Sequence, residues 1–291
     1  MDPIIFIIIV LCGLVIGLLA GMFGIGGGTL IIPLLNVAVG LPMVVAASTS
    51  LLSIAPTAVS GTIRHWQQKT IQFKAGLLMG SMGALTSICG ALLSEITPDL
   101  VLALLTVAVV IFSATRMFLP TRKSSRTTAE RTQVESTQVE STHAEGTQAK
   151  STQAKRSQVE STQAKKQERW LPLVCIGLFA GLIAGLVGVG GGFVIVPFCA
   201  TYLGWEMKQA AGTSLLSITL IAIPGIITHA FLGQIEWLYG LALIVGTIPG
   251  AQVGAWVATK IPDRTLRVCF GILLCITGGL LLVNNIGVFQ A

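Results

Sequence analysis

The chain has 291 residues, of which 53% are hydrophobic and only 10% charged. A soluble domain of this length carries about 25% charged residues, so long apolar runs must make up the difference and no sizeable soluble domain fits between them. The net charge of +6 lies in loops, which points to membrane topology and not to nucleic-acid binding.

In chain order, Met1 to Val39 holds one ionisable side chain, Asp2. That run is too long for one crossing, since roughly 20 apolar residues span the hydrocarbon core. It lacks the basic n-region and small-residue cleavage site of a signal peptide, and its sequence returns mid-chain. Further apolar runs sit near 42–63, 75–94, 100–119, 171–203, 210–228, 237–259 and 268–289. The six cysteines all fall in such runs without a CxxC pair or zinc spacing, and read as small buried hydrophobes. Trp66, Trp170, Trp205, Trp237 and Tyr239 cluster at segment ends, as interfacial anchors do.

A shift of 164 residues lays the chain on itself. Gly21-Met22-Phe23-Gly24-Ile25-Gly26-Gly27-Gly28 falls on Gly185-Leu186-Val187-Gly188-Val189-Gly190-Gly191-Gly192, and Pro33 on Pro197. Thr49-Ser50-Leu51-Leu52-Ser53-Ile54 falls on an identical hexapeptide at 213–218, and His65 on His229. One register holds from Gly17 to Asp99 without a gap. Residues 120–169 differ: Ser/Thr-Gln-Val/Ala-Glu/Lys pentads such as Ser136-Thr137-Gln138-Val139-Glu140 offer almost nothing to bury and read as a disordered linker. The chain therefore divides into a first transmembrane repeat (1–119), a disordered cytoplasmic linker (120–169) and a second transmembrane repeat (170–291).

Charge placement sets the expected topology. With five crossings per half (about 4–23, 28–41, 43–63, 74–94 and 99–119) and the N-terminus outside, all 18 Lys and Arg fall on the cytoplasmic side. Four crossings per half put Lys260, Arg264 and Arg267 outside, against the positive-inside rule. The expected fold is an all-α polytopic membrane protein of two inverted repeats, eight to ten segments in total, each repeat with a glycine-rich break. An odd count per unit inverts the repeats, as in many secondary transporters. Segments 28–41 and 192–205 are short. Fourteen residues rise about 21 Å against a core of roughly 30 Å, so each must be broken or partly re-entrant.

The candidate solute site begins with Gly24, Gly26, Gly27 and Gly28 and their counterparts Gly188, Gly190, Gly191 and Gly192. An unwound glycine stretch ahead of a helix offers backbone N–H groups and a positive dipole end to an anion. It is neither a dinucleotide nor a Walker loop, since Thr29 and Phe193 hold the sixth position and no Gly-Lys-Ser/Thr follows. Close helix packing by small residues is the other reading. Thr49, Ser50, Thr213 and Ser214 add hydroxyl donors, with back-bonding to helix carbonyls as the alternative. His65 and His229, one at each face, are candidates for proton coupling beside an interfacial or capping role. No carboxylate or basic residue lies mid-crossing. That favours an uncharged, donor-rich anion site over a metal, and no cofactor, catalytic residue set or nucleic-acid partner is expected.

The two Gly-x-x-Gly-x-Gly-Gly-Gly stretches with proline five residues on, and the paired Thr-Ser-Leu-Leu-Ser segments, resemble the TauE/SafE family of sulfite and organosulfonate exporters. The resemblance covers nearly the whole chain except the linker. It implies a multi-pass permease of the prokaryotic cell (inner) membrane. It also implies a secondary transporter for sulfite or an organosulfonate, by alternating access, with the lipid bilayer and a small anionic solute as partners. A passive anion channel, or a permease for another small sulfur-containing or organic solute, is the alternative. An enzyme would need a convergent nucleophile, base or metal set, which the sequence does not supply.

Overall fold

A computed structural model describes residues 3–118 and 170–288; the predicted linker lies outside them. Every regular element among the described residues is helical. The first half runs α1 (Pro3–Phe23), α2 (Gly28–Pro33) continued by a π-helical turn (Leu34–Ala38), α3 (Met43–Gln67), α4 (Phe73–Ile96) and α5 (Asp99–Phe118). The second runs α6 (Trp170–Val187), α7 (Gly192–Thr201), α8 (Met207–Phe231), α9 (Trp237–Lys260) and α10 (Asp263–Val288). Seven of the described helices are long and apolar enough to cross a bilayer, and two shorter apolar ones, Gly28–Ala38 and Gly192–Thr201, follow the glycine stretches. The chain is a polytopic α-helical membrane protein.

The two short helices depart from ideal geometry for a stated reason. Pro33 has no N–H, so the carbonyl of Thr29 loses its helical partner and the helix relaxes into the wider π turn behind it. In the second half, α7 runs ten residues through Pro197 without such a turn.

Packing joins the halves by small residues. Helices α1 and α9 run parallel: Gly13 lies on Leu243 and Gly246, Gly17 on Thr247, and Gly21 on Ala251. The same pattern recurs between α6 and α4, where Gly177 lies on Met79, Gly181 on Gly83 and Gly185 on Ser87. The 164-residue offset turns one pair into the other. At the centre, α3 and α8 cross antiparallel, with Gly61 on Leu215 and Gly225 on Leu51. Between them lies a small buried cluster of Leu51, Ile54, Ala58, Leu215, Ile218 and Ala222, three residue pairs related by that offset. Glycine contact replaces the hydrophobic drive that lipid cannot supply between helices.

Outward, the helices present Ile4, Leu11, Val15, Leu85, Leu92, Ile96, Leu171 and Phe231, each large, apolar and exposed. An apolar face of that extent is stable against acyl chains and not against water. The cysteines follow the same logic. Cys199 is buried, whereas Cys89, Cys175, Cys269 and Cys275 are exposed on the helix surface. The expectation of buried cysteines therefore fails for these four, because in a bilayer an apolar residue can face lipid as readily as protein.

One interface is polar on one side only. Thr57 Oγ1 lies 2.6 Å from both Thr247 Oγ1 and the Ser53 carbonyl oxygen, so the two hydroxyls and the carbonyl form one hydrogen-bonded chain, and Ser60 reaches the Ile248 carbonyl at 3.0 Å. The offset counterparts of Thr57 and Thr247 are Ile221 and Gly83, which form no such bond. Thr247→Val is expected to destabilise the protein by about 0.6–1.7 kcal/mol, the range of interhelical hydrogen bonds in membranes. Thermal unfolding in detergent of this variant, Thr57→Val and the double variant should show non-additive losses.

Candidate functional site

The two glycine stretches leave the helical path at Gly24 and Gly188 and meet at the centre of the molecule. Their N-cap residues, Gly27 at φ +94° and Gly191 at φ +73°, hold a backbone conformation that side chains rarely adopt. The stretches touch: a Cβ on Gly28 would lie 2.7 Å from the Val189 carbonyl oxygen, and one on Gly192 would lie 2.6 Å from that of Gly24. Ile54 and Ile218 sit against both Gly26 and Gly190. All residues from Gly24 to Gly28 and from Gly188 to Gly192 are buried.

The amides here carry the site's electrostatics. The Gly24 N–H reaches the Ala20 carbonyl at 2.8 Å, and the next backbone bond is Leu30 N–H to Gly27 at 3.0 Å. Among the described residues, no carbonyl accepts from the amides of Ile25, Gly26, Gly27, Gly28 or Thr29. The second half repeats this, with bonds from the amides of Gly188 and Val194 and none from those between. Buried, unpaired N–H groups are rare and costly, and ten of them face no fixed charge. Unpaired donors of this kind are the groups by which helix starts and backbone nests hold anions elsewhere. Thr29, buried, adds a hydroxyl with no partner.

Each loop is held by the opposite half. Gly24 packs on Ala211 of α8, and the Ser214 hydroxyl donates to the Gly24 carbonyl at 2.8 Å. Gly188 packs on Ala47 of α3, and Ser50 donates to its carbonyl at 2.6 Å. The two serines thus anchor the loops and spend their protons doing so. Thr49 and Thr213 are not brought to the loops. Thr49 Oγ1 accepts from the Glu236 amide, and Thr213 Oγ1 from the Gln72 amide, both at 3.0 Å. Glu236 and Gln72 are the N-caps of α9 and α4, so these threonines tie helix starts across the halves.

His65 and His229 lie inside the last turns of α3 and α8, buried to within 1%. The chain folds Thr70 and Gln234 back over the rings at these helix ends. His65 Nε2 is 3.1 Å from the Gly21 carbonyl, and His229 Nε2 is 3.2 Å from that of Gly185. A carbonyl only accepts, so Nε2 carries the proton and the ring caps an orphan carbonyl of the last turn of α1 or α6.

Sequence reasoning missed Thr29, Ile54 and Ile218 as neighbours of the loops, and Ser48 beside His229. The glycines at every fourth position (13, 17, 21; 177, 181, 185; 246, 250, 254) were a readable signal for the parallel helix pairs that fix the loops.

A polytopic helical bundle with paired broken helices buried at its centre is an architecture that membrane transporters use. The sulfite exporter TauE/SafE family model matches residues 9–281, and the chain belongs to that family. It is similar to the probable membrane transporter protein YdhB of Bacillus subtilis, 28% identical across 94% of this chain and 99% of that protein. It also resembles YunE of the same organism, 26% identical across 97% and 98%, and MJ0441 of Methanocaldococcus jannaschii, 23% identical across 93% of each. Both of these carry the same description, probable membrane transporter protein. No solved structure matches.

Proposed function

We propose that this protein is a secondary transporter for a small oxyanion, with sulfite or an organosulfonate as the substrate class. The observation that carries the reading is the pair of buried glycine loops whose amides have no acceptor. A sulfonate or sulfite group presents several oxygens to such donors and needs no counter-ion from a side chain. Gly24, Gly26, Gly27 and Gly28 with Gly188, Gly190, Gly191 and Gly192 are the binding loops. Ser50 and Ser214 are their anchors, and Thr49 and Thr213 brace the frame behind them.

Alternating access follows from inverted repeats, 1–119 and 170–291, joined by a cytoplasmic linker at 120–169 in the inner membrane. Two observations support the inversion. Helices α3 and α8, equivalent under the offset, run antiparallel where they touch. Arg116, near the end of the fifth segment, bonds Tyr202, which ends the second segment of the other half, and stacks on its ring at 4.8 Å. Those two ends share a face when one repeat is upside down and each segment crosses, which supports the inversion. The loops touch in this conformation, so a solute enters as one repeat rocks against the other.

The test is flux of labelled sulfite and sulfoacetate in liposomes holding the purified protein. Saturable flux, with each anion inhibiting the other, is the expected result. Flux that grows linearly with concentration would instead favour a channel through the same loops. Flux no greater than in empty liposomes for both anions would overturn the substrate class.

A further inference from the structure

Among the described residues, His65 and His229 are the only buried side chains able to carry a positive charge. Each sits directly behind a glycine loop. Gly24 rests on Ala211, and the next residue, Gly212, would place a Cβ 3.0 Å from His65. Gly188 rests on Ala47, and the next residue, Ser48, lies 3.0 Å from His229 Nδ1. Ring and loop thus share one footing in each half.

The Nδ1 side of each ring is built to hold a proton or to do without one. His65 Nδ1 is 2.9 Å from Thr70 Oγ1, and that hydroxyl is also 3.1 Å from the His65 carbonyl oxygen. His229 Nδ1 is 2.8 Å from Gln234 Oε1, and the Ser48 hydroxyl beside it is also 2.7 Å from the Val44 carbonyl oxygen. In the neutral ring, a hydroxyl donates to the Nδ1 lone pair. In the charged ring, Nδ1–H donates outward and the hydroxyl turns to its carbonyl. At His65 both states leave every polar group bonded, which is the condition for a buried ring to take either; at His229 the charged ring donates to Gln234 Oε1, and the neutral ring requires that amide oxygen to turn away while Ser48 donates to Nδ1.

We propose that His65 and His229 are proton-binding sites that couple proton uptake to occupancy of the glycine loops, each ring taking one proton at Nδ1. This rests on the anion reading above. A proton from water on the near side adds to the Nδ1 lone pair. One O–H bond of hydronium breaks as the N–H bond forms, a neutral water is left, and the Thr70 or Ser48 hydroxyl reorients to the carbonyl. Nε2 keeps its hold on Gly21 or Gly185, so the loop stays in place and gains a positive charge behind it. Thr70 and Gln234 are half-buried at helix ends and form the route from water.

The charged neighbours do not neutralise that gain. Arg64, bonded to Gln67, and Lys69 flank His65 along the chain, and Glu236 lies beyond Gln234. From α1, α3, α6 and α8, no Asp, Glu, Lys or Arg bonds either ring among the described residues. The Gly21 carbonyl lies one helical turn before Gly24, whose N–H closes on Ala20, and the unpaired amides follow from Ile25 to Thr29, so ring and anion stand on the order of 10 Å apart. Over that distance, at an effective dielectric of about 20, a unit charge changes anion affinity on the order of tenfold. Linkage requires the anion to raise proton affinity by the same factor.

The experiment uses the full chain carrying His143→Asn, which removes the third histidine, with 15N-labelled histidine in lipid nanodiscs. Ring spectra are followed through acid and neutral pH with and without sulfoacetate, whose acid groups stay ionised between pH 6 and 8. Both rings should titrate at Nδ1, and sulfoacetate should raise the midpoints by roughly one pH unit, the tenfold coupling above. Rings that stay neutral throughout would overturn the proposal. So would midpoints indifferent to sulfoacetate; saturable sulfoacetate flux in the same preparation would then show that the anion reading stands without the coupling. His65→Gln and His229→Gln keep an amide donor but bind no proton. In the double variant the flux that remains should lose its roughly tenfold dependence on pH, an effect a merely structural cap would not produce.

Discussion

Gly27→Ala should leave the protein folded and cut anion flux by roughly 5–30-fold. At φ +94° an alanine carries about 1–2 kcal/mol of strain, which is that factor in the population of the native loop. The added methyl meets only side chains: Ile16, Ala20 and Ile31, none nearer than 3.2 Å. These can yield, so the loop and not the fold takes the damage. Gly191→Ala should act alike but also harm folding, because its Cβ would lie 2.9 Å from the Ala180 carbonyl oxygen. Size-exclusion profiles in detergent, read beside liposome flux, separate the two effects. Full flux in Gly27→Ala would remove the loop from the site.

Gly181→Val should have the larger effect on stability. A Cβ there would lie 2.0 Å from the Gly83 carbonyl oxygen and 2.4 Å from its Cα. No rotamer relieves a clash between two backbones, so α4 and α6 must part along their length. Overpacking a core costs about 1–3 kcal/mol where side chains can adjust, and here they cannot. The expected outcome is little or no monodisperse protein. Gly279→Ala, with nothing within 4 Å of its Cβ, should be recovered like the parent. Normal recovery of Gly181→Val would mean the helices are not in contact.

Much of the organisation was legible before the fold was seen. Helix bounds follow the apolar runs closely: the expected crossing at 74–94 is α4 at 73–96, and that at 4–23 is α1 at 3–23. The broken segments were readable because glycine and proline act locally. Three consecutive glycines end a helix wherever they stand, and Pro33 removes one donor regardless of its neighbours.

The hydroxyl roles were not legible. Thr49 and Ser50 are adjacent in an identical hexapeptide, yet Ser50 reaches the far loop and Thr49 reaches the start of α9. Their division depends on which helix of the other half each one faces. The histidines show the same limit. Their place near the segment ends gave no sign of the partner each ring finds, the Gly21 or Gly185 carbonyl on the first helix of its own half.

The sequence by itself determined that the chain lives in a bilayer, that it is built twice, and where each copy breaks. Hydropathy, repetition and the local chemistry of glycine and proline need no partner to act. Tertiary structure alone decided that each loop leans on the opposite half, that the serines anchor and the threonines brace, and that each histidine stands behind a loop. Those are contacts between residues far apart in the chain, set by glycine-lined helices that meet at backbone distance, and no local signal encodes which helix meets which.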